Sequence, residues 1–154
     1  MSTTIRRARL DEAAALTAIA HAAKRHWGYP EAWIARWKDA LTVTSAYVRD
    51  HLVSVAAEAQ GDRPRGFYAL SMEGATAVLD HLWIEPEWIG RGLGREMFGH
   101  AVRTARAEGA TRLQIDSDPH AEAFYRRMGA IRVGEVRADV DEVRRVLPRM
   151  AITL

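Results

Sequence analysis

The chain has 154 residues, a length that suits one domain built on one hydrophobic core. With 48% hydrophobic and 27% charged residues it has the composition of an ordinary globular protein, which excludes disorder on compositional grounds. The formal net charge of +2, at a pI near 9.3, fits a small anionic ligand better than a nucleic-acid backbone, and the absence of cysteine excludes disulfides, thiolate zinc sites and cysteine nucleophiles.

No apolar run approaches the ~20 residues needed to span a bilayer. The N-terminal Met1-Ser2-Thr3-Thr4-Ile5-Arg6-Arg7 lacks the apolar stretch of a signal peptide, so a soluble cytoplasmic protein is expected, with no membrane partner. No repeat, linker or low-complexity tract divides residues 1–154, and a single domain is expected. A short β-compatible stretch, Thr4 to Arg9, leads to Asp11, which is expected to cap a helix carrying Ala15, Leu16, Ile19 and Ala20 at helical spacing. Gly28-Tyr29-Pro30 interrupts it, and Pro30 suits the first turn of a second helix with Trp33, Ile34 and Trp37 on one side. Strands are expected at Leu52–Glu58, Arg65–Met72 and Thr76–Ile84, separated by the turns Gln60–Pro64 and Glu73-Gly74.

Pro86 ends the third of these strands by removing a ladder donor. Gly92 to Glu108 is strongly helical, with Leu93, Met97, Phe98, Ala101 and Val102 as its buried stripe and Gly109 as its left-handed stop. A strand at Arg112–Asp116, a helix at Pro119–Met128 stopped by Gly129, and strands at Ile131–Val136 and Val146–Leu154 complete the chain. The order is β-α-α-β-β-β-α-β-α-β-β, a mixed α/β (α+β) domain in which helices cover a mostly antiparallel sheet.

The run Gly90-Arg91-Gly92-Leu93-Gly94-Arg95 lies between a strand and a helix. A helix N-terminus offers backbone N–H groups and a partial positive charge that attract phosphate oxygens. Glycines ahead of it permit nest-like dihedrals and close approach of a ligand. Competing motifs fail on spacing: Arg95 stands where a dinucleotide fingerprint needs its third glycine, and no Gly-Lys-Ser/Thr of a Walker loop follows. A ligand-free turn needs neither three alternating glycines nor two arginines.

The stretch from Leu79 through Asp80, His81, Leu82, Trp83, Ile84, Glu85, Pro86 and Ile89 to Gly94 resembles the acyl-CoA-binding motif of the Gcn5-related N-acetyltransferases. That loop usually reads Gln/Arg-x-x-Gly-x-Gly/Ala; Gly92 and Gly94 match, while Ile89 replaces the leading polar residue and shifts the expected contacts to backbone. A second stretch, Asp118-Pro119-His120-Ala121-Glu122-Ala123-Phe124-Tyr125-Arg126-Arg127-Met128-Gly129-Ala130, resembles the family's Asn-x-x-Ala-x-x-Phe-Tyr-x-x-x-Gly-Phe segment, with Asp118 in the Asn place and Ala130 in the Phe place. The resemblance covers nearly the whole chain and implies one acyltransferase domain with a seven-stranded, mostly antiparallel sheet and about four helices.

It further implies that acetyl-CoA lies in an opening between the Thr76–Ile84 and Arg112–Asp116 strands. Its pantetheine would bond the backbone around Leu82, Trp83 and Ile84 like an added strand, and its pyrophosphate would meet Ile89, Gly90, Arg91, Gly92, Leu93, Gly94 and Arg95. Asp118, Ala121, Phe124, Tyr125 and Arg127 would complete the cofactor-binding set. A primary amine, from a small molecule or a peptide, would attack the thioester directly, without a metal or a covalent enzyme intermediate. Tyr125 matches the tyrosine placed to protonate the departing thiolate, whereas Phe124 is expected to pack. Asp80, His81 and Glu85 are the candidates for the base; strand alternation sets Asp80 on the opposite face from the other two.

The segment Lys24-Arg25-His26-Trp27-Gly28-Tyr29-Pro30 is where this family lines its acceptor pocket, so His26, Trp27 and Tyr29, with Glu85, are expected on the acceptor side. Trp33 and Trp37, at helical spacing, are expected in the core. His21 and His26 lack a third partner at zinc-ligand spacing, and Asp116 and Asp118 lack the glycine and distal glutamate of a calcium loop. The alternative from another class is a non-catalytic acyl-CoA sensor or partner domain. Nucleic-acid binding is disfavoured because the arginines are spread along the chain. The last strand allows a homodimer across its edge. The acceptor's identity is not encoded in the cofactor motif.

Overall fold

The computed structural model describes residues 2–154. Seven strands hydrogen-bond in the order β1-β2-β3-β4-β5-β7-β6, where β1 is Thr3–Arg7, β2 Leu52–Glu58, β3 Pro64–Glu73, β4 Thr76–Ile84, β5 Arg112–Asp116, β6 Ile131–Arg137 and β7 Val146–Thr153. The sheet is mostly antiparallel; β4 and β5 are parallel, with pairs from Thr76↔Arg112 to Val78↔Gln114. Six α-helices accompany it: α1 Ala13–His26, α2 Glu31–Arg36, α3 Lys38–Leu41, α4 Ser45–Asp50, α5 Leu93–Ala107 and α6 Glu122–Arg127. The expected fold class is therefore present. No helix among the described residues is long and apolar enough to cross a membrane.

The chain divides into two compact units, Met1–Ala69 with His81–His100, and Leu70–Asp80 with Ala101–Leu154. In the first, β1 runs antiparallel to β2 from Thr3↔Glu58 to Arg7↔Ser54. Its core joins Leu16, Ile19 and Ala20 at helical spacing on α1 to Val53, Val55 and Ala57 at alternate positions of β2, with Phe67 and Ala69 from β3 and Leu41, Val43 and Val48. Trp37, Tyr47 and Trp83 pack against this cluster half-buried. Gly66 on β3 is required by close approach, since a Cβ there would lie 2.9 Å from the Trp83 carbonyl oxygen and 3.0 Å from Met97 Cε.

In the second unit β7 pairs antiparallel with β5, from Arg112↔Thr153 to Asp116↔Arg149, and with β6. Two glycines end helices here. Gly109 (φ +89°) and Gly129 (φ +101°) adopt the left-handed conformation, and the following amides, Ala110 N–H and Ala130 N–H, donate to the Ala105 and Tyr125 carbonyls at 3.0 Å.

Local details differ from the sequence expectation for identifiable reasons. Asp11 does not cap α1: a 3₁₀ turn, Leu10–Glu12, precedes it, and Glu12 accepts from the Arg9 N–H at 2.8 Å and from Arg6 at 2.8 and 2.9 Å. The helix expected over Pro119–Met128 is a 3₁₀ turn, Pro119–Ala121, followed by α6, because the Asp118 carboxylate accepts from the His120 N–H at 2.9 Å and tightens the entry. On α5 Ala105 is fully buried, whereas Val102 is half-buried. The helix count exceeds the expected four by α3 and α4, of four and six residues, too short to show an apolar period.

Candidate cofactor and acceptor sites

The glycine loop is held from beneath. The Glu85 N–H donates to the Arg65 carbonyl at 2.8 Å, and Arg65 ion-pairs with Glu85 at 2.7 Å and with Glu58. Pro86–Trp88 then forms a 3₁₀ turn that buries the Trp88 indole. The Arg65 guanidinium lies 5.3 Å from that ring's centroid and the Arg91 guanidinium 4.6 Å, so cation–π contacts fix Arg91 at the mouth of the loop. Gly90 (φ +85°) and Gly92 (φ +81°) are left-handed, and a Cβ on either would meet nothing within 4 Å. Conformation, not crowding, demands glycine there, and the space above the loop is open.

The helix α5 begins at Leu93, with the Gly92 carbonyl accepting from the Glu96 N–H at 3.1 Å. The amides of its first turn have no partner within the helix. Leu93 is buried, Gly94 lies inside that first turn, and Arg91 and Arg95 are exposed. Open backbone amides, a positive helix end and an anchored guanidinium suit a phosphate or pyrophosphate. Ile89 is 46% exposed and offers the loop no polar contact.

On β4 the Trp83 indole N–H donates to His81 Nδ1 at 2.9 Å. An indole nitrogen only donates, so this bond assigns the His81 ring proton to Nε2 in the neutral imidazole. The His81 ring stands edge-on to Tyr47 at 5.7 Å and tilted against Phe67 at 5.7 Å. Asp80 is exposed and accepts from the Ser71 hydroxyl at 2.8 Å. Glu85, expected on the acceptor side, is engaged by Arg65.

Of the acceptor-segment residues, His26 and Trp27 are exposed, and their rings meet in a T-shaped contact at 5.6 Å. Tyr29 instead stacks on Trp33 at 5.9 Å and meets Trp37 edge-on at 5.0 Å. Trp33 and Trp37, expected as core residues, are half-buried members of that aromatic cluster. The residue that sequence reasoning passed over is Lys24. It is 8% exposed, its ammonium 4.3 Å from the Trp37 centroid, 4.9 Å from Tyr29 and 5.8 Å from Trp83. A signal was available, since Lys24 continues the buried α1 stripe of Leu16 and Ala20.

In the second unit Tyr125 is buried, its ring 5.2 Å from Phe124 in an edge contact. Desolvation, followed by the nearby negative charge of Asp118, pushes the phenol well above the usual tyrosine range. Asp118 pairs with Arg145 at 3.3 Å. Phe124 and Ala121 are half-buried and Arg127 is exposed, so Tyr125, not Phe124, is the more enclosed of the two aromatics.

The Acetyltransferase (GNAT) family model matches residues 13–130, three quarters of the chain, and the protein belongs to that family. Among solved structures, a GCN5-related N-acetyltransferase from Rhodopseudomonas palustris superposes with a TM-score of 0.79 at 22% identity, covering 100% of this chain and 97% of its own. The PaiA N-acetyltransferase of Thermoplasma acidophilum, in complex with coenzyme A, gives 0.77 at 18% identity and covers 100% of both chains. YncA from Salmonella typhimurium, with its cofactor acetyl-CoA, gives 0.71 at 20% identity, covering 99% of this chain and 94% of its own. No curated protein sequence matches the chain.

Proposed function

We propose that this protein is an acyl-CoA-dependent N-acetyltransferase that moves an acetyl group from acetyl-CoA to a primary amine by direct attack. The observation that carries the proposal is the Gly90–Arg95 loop: two left-handed glycines, open space above them, the first turn of α5 and an arginine stacked on Trp88. This arrangement suits a pyrophosphate, and coenzyme A carries one.

When bound, the donor supplies an acetyl thioester whose carbonyl carbon accepts the amine. A C–N bond forms, the C–S bond breaks, and the sulfur leaves with the electron pair. The backbone of Leu82 and Ile84 is proposed to hold the pantetheine as an added strand, with a β4 N–H facing the oxyanion. Tyr125 is proposed to give its proton to the thiolate. Burial and then Asp118 raise the phenol above its usual range, so it is protonated at neutral pH but is a weaker acid than an ordinary tyrosine; the role rests on its match to the family tyrosine.

The amine's own proton is assigned to Asp80. His81 is less suited to accept it, because Nδ1 already receives the Trp83 N–H and Nε2 carries the ring proton. Calorimetry with acetyl-CoA, combined with thiol release across an amine panel, tests the proposal. Binding with release supports an enzyme; binding without release for every amine supports the sensor alternative.

A further inference from the structure

We infer that Trp88 is a positioning residue of the cofactor loop: its indole holds the Arg91 guanidinium ready for a phosphate group of the ligand. The inference rests on the coenzyme A reading of the loop and adds a residue that acts on the ligand through another. A surface arginine ordinarily samples many rotamers, and ordering it against a ligand weakens binding. Arg91 is exposed, yet its guanidinium lies 4.6 Å over the centroid of the Trp88 ring, which is only 5% exposed. Tryptophan is the strongest aromatic partner for a cation, and a guanidinium resting on a ring keeps its in-plane N–H donors for an anion. The side chain is therefore ordered before the ligand arrives.

The surroundings of the ring support the same assignment. Arg65 lies 5.3 Å from the same centroid, and it is paired with Glu58 and, at 2.7 Å, with Glu85. Arg63 stands 3.9 Å from Glu85. Two guanidiniums and two carboxylates offset one another there, so the cluster braces Trp88 without adding net charge. Arg91 differs: among the described residues it has no carboxylate partner, and its charge is left to the loop. Ring and loop also share one short braced segment. The Trp88 N–H donates to the Glu85 carbonyl at 2.9 Å and the Ile89 N–H to the Pro86 carbonyl at 3.3 Å. Ile89 is 46% exposed and apolar, whereas Arg91 stands between the left-handed Gly90 and Gly92. Trp88 thus gives the loop, through Arg91, the charged side-chain contact that Ile89 cannot make.

The test is a double-mutant cycle on acetyl-CoA affinity, read by calorimetry in the wild type, Trp88→Leu, Arg91→Met and the double variant. Arg91→Met should weaken binding about tenfold or more, the scale of one hydrogen bond to a charged group. Trp88→Leu should weaken it about 3–10-fold, the scale of ordering one long side chain. In the Arg91→Met background the same Trp88 change should have little effect, and Trp88→Phe, which keeps a ring, should retain part of the wild-type affinity. Thermal melting establishes that each variant is folded; if Trp88→Leu does not fold, the cycle with Trp88→Phe decides. A Trp88 loss of equal size in both Arg91 backgrounds marks a merely structural ring and overturns the inference alone. Wild-type affinity in Arg91→Met does the same. A wild type that binds no acetyl-CoA overturns the coenzyme A reading and the inference with it.

Discussion

Replacing Gly92 by alanine separates a phosphate cradle from a mere turn, provided Gly109→Ala is made beside it. Both glycines are left-handed, at φ +81° and +89°, and a Cβ on either meets nothing within 4 Å. Steric overlap is thus absent in both, and the shared cost is about 1–2 kcal/mol for an L-residue in that conformation. For a chain of this size each kcal/mol is about 2–4 °C, so both variants should melt roughly 2–8 °C below wild type. Their ligand binding should differ. At Gly109 the strain stays in a helix terminus. At Gly92 the loop either relaxes, turning its amides away and charging about 1–2 kcal/mol to binding, or keeps its shape and sets a methyl in the space assigned to phosphate oxygens. Either outcome weakens acetyl-CoA by about 5–30-fold. Differential scanning and isothermal titration calorimetry read the two quantities. Equal acetyl-CoA affinity in the two variants would refute the cradle.

Tyr125→Phe should lower kcat by roughly 10²-fold with KM for acetyl-CoA little changed, the scale of a positioned acid, and an unaltered kcat would remove that role. Because burial and then Asp118 raise the Tyr125 phenol, the unfolded chain releases this proton near pH ~10 while the folded chain keeps it. Wild-type stability should therefore fall relative to Tyr125→Phe above that pH, as alkaline melting curves can show. Glu12→Gln should cost about 2 kcal/mol at pH 7, since charge-assisted bonds from Arg6 are lost. The Arg6 hydrogen bonds hold the Glu12 carboxyl below its usual range, so the difference should be full above that range and shrink as pH falls through the folded value, in urea titrations at stepped pH. Arg65→Met leaves the half-buried Glu58 and Glu85 without their shared cation and should cost about 3 kcal/mol, with weaker acetyl-CoA binding because the loop loses its anchor.

The strands Leu52–Glu58, Thr76–Ile84 and Arg112–Asp116 were legible to the residue, because β-branched and apolar runs there are bounded by turn signals. The stops at Gly109 and Gly129 were equally plain, since few other residues accept those dihedrals. What escaped depends on partners distant in sequence. Trp37 packs against the core as its helical spacing suggests, whereas Trp33 stacks on Tyr29, which spacing alone cannot foretell. Lys24 continues the buried α1 stripe, but the rings around its ammonium include Trp83, almost sixty positions on. Asp11 reads as the cap in a string, and the bonds that Glu12 accepts from the Arg9 N–H and from Arg6 become visible only in the fold. In the glycine loop Ile89 was seen to lack the polar side chain of the family motif, but the anchoring of Arg91 on Trp88 required coordinates.

The most direct test of the account is acetyl transfer itself: purified protein, acetyl-CoA and a panel of primary amines, with free thiol followed by colour and the acceptor product by mass spectrometry. The account predicts stoichiometric thiol and N-acetylated amine, strongly slowed in Tyr125→Phe and, at sub-saturating acetyl-CoA, slowed about 5–30-fold in Gly92→Ala. Acetyl-CoA bound at the loop with no acetylated product from any amine would contradict it.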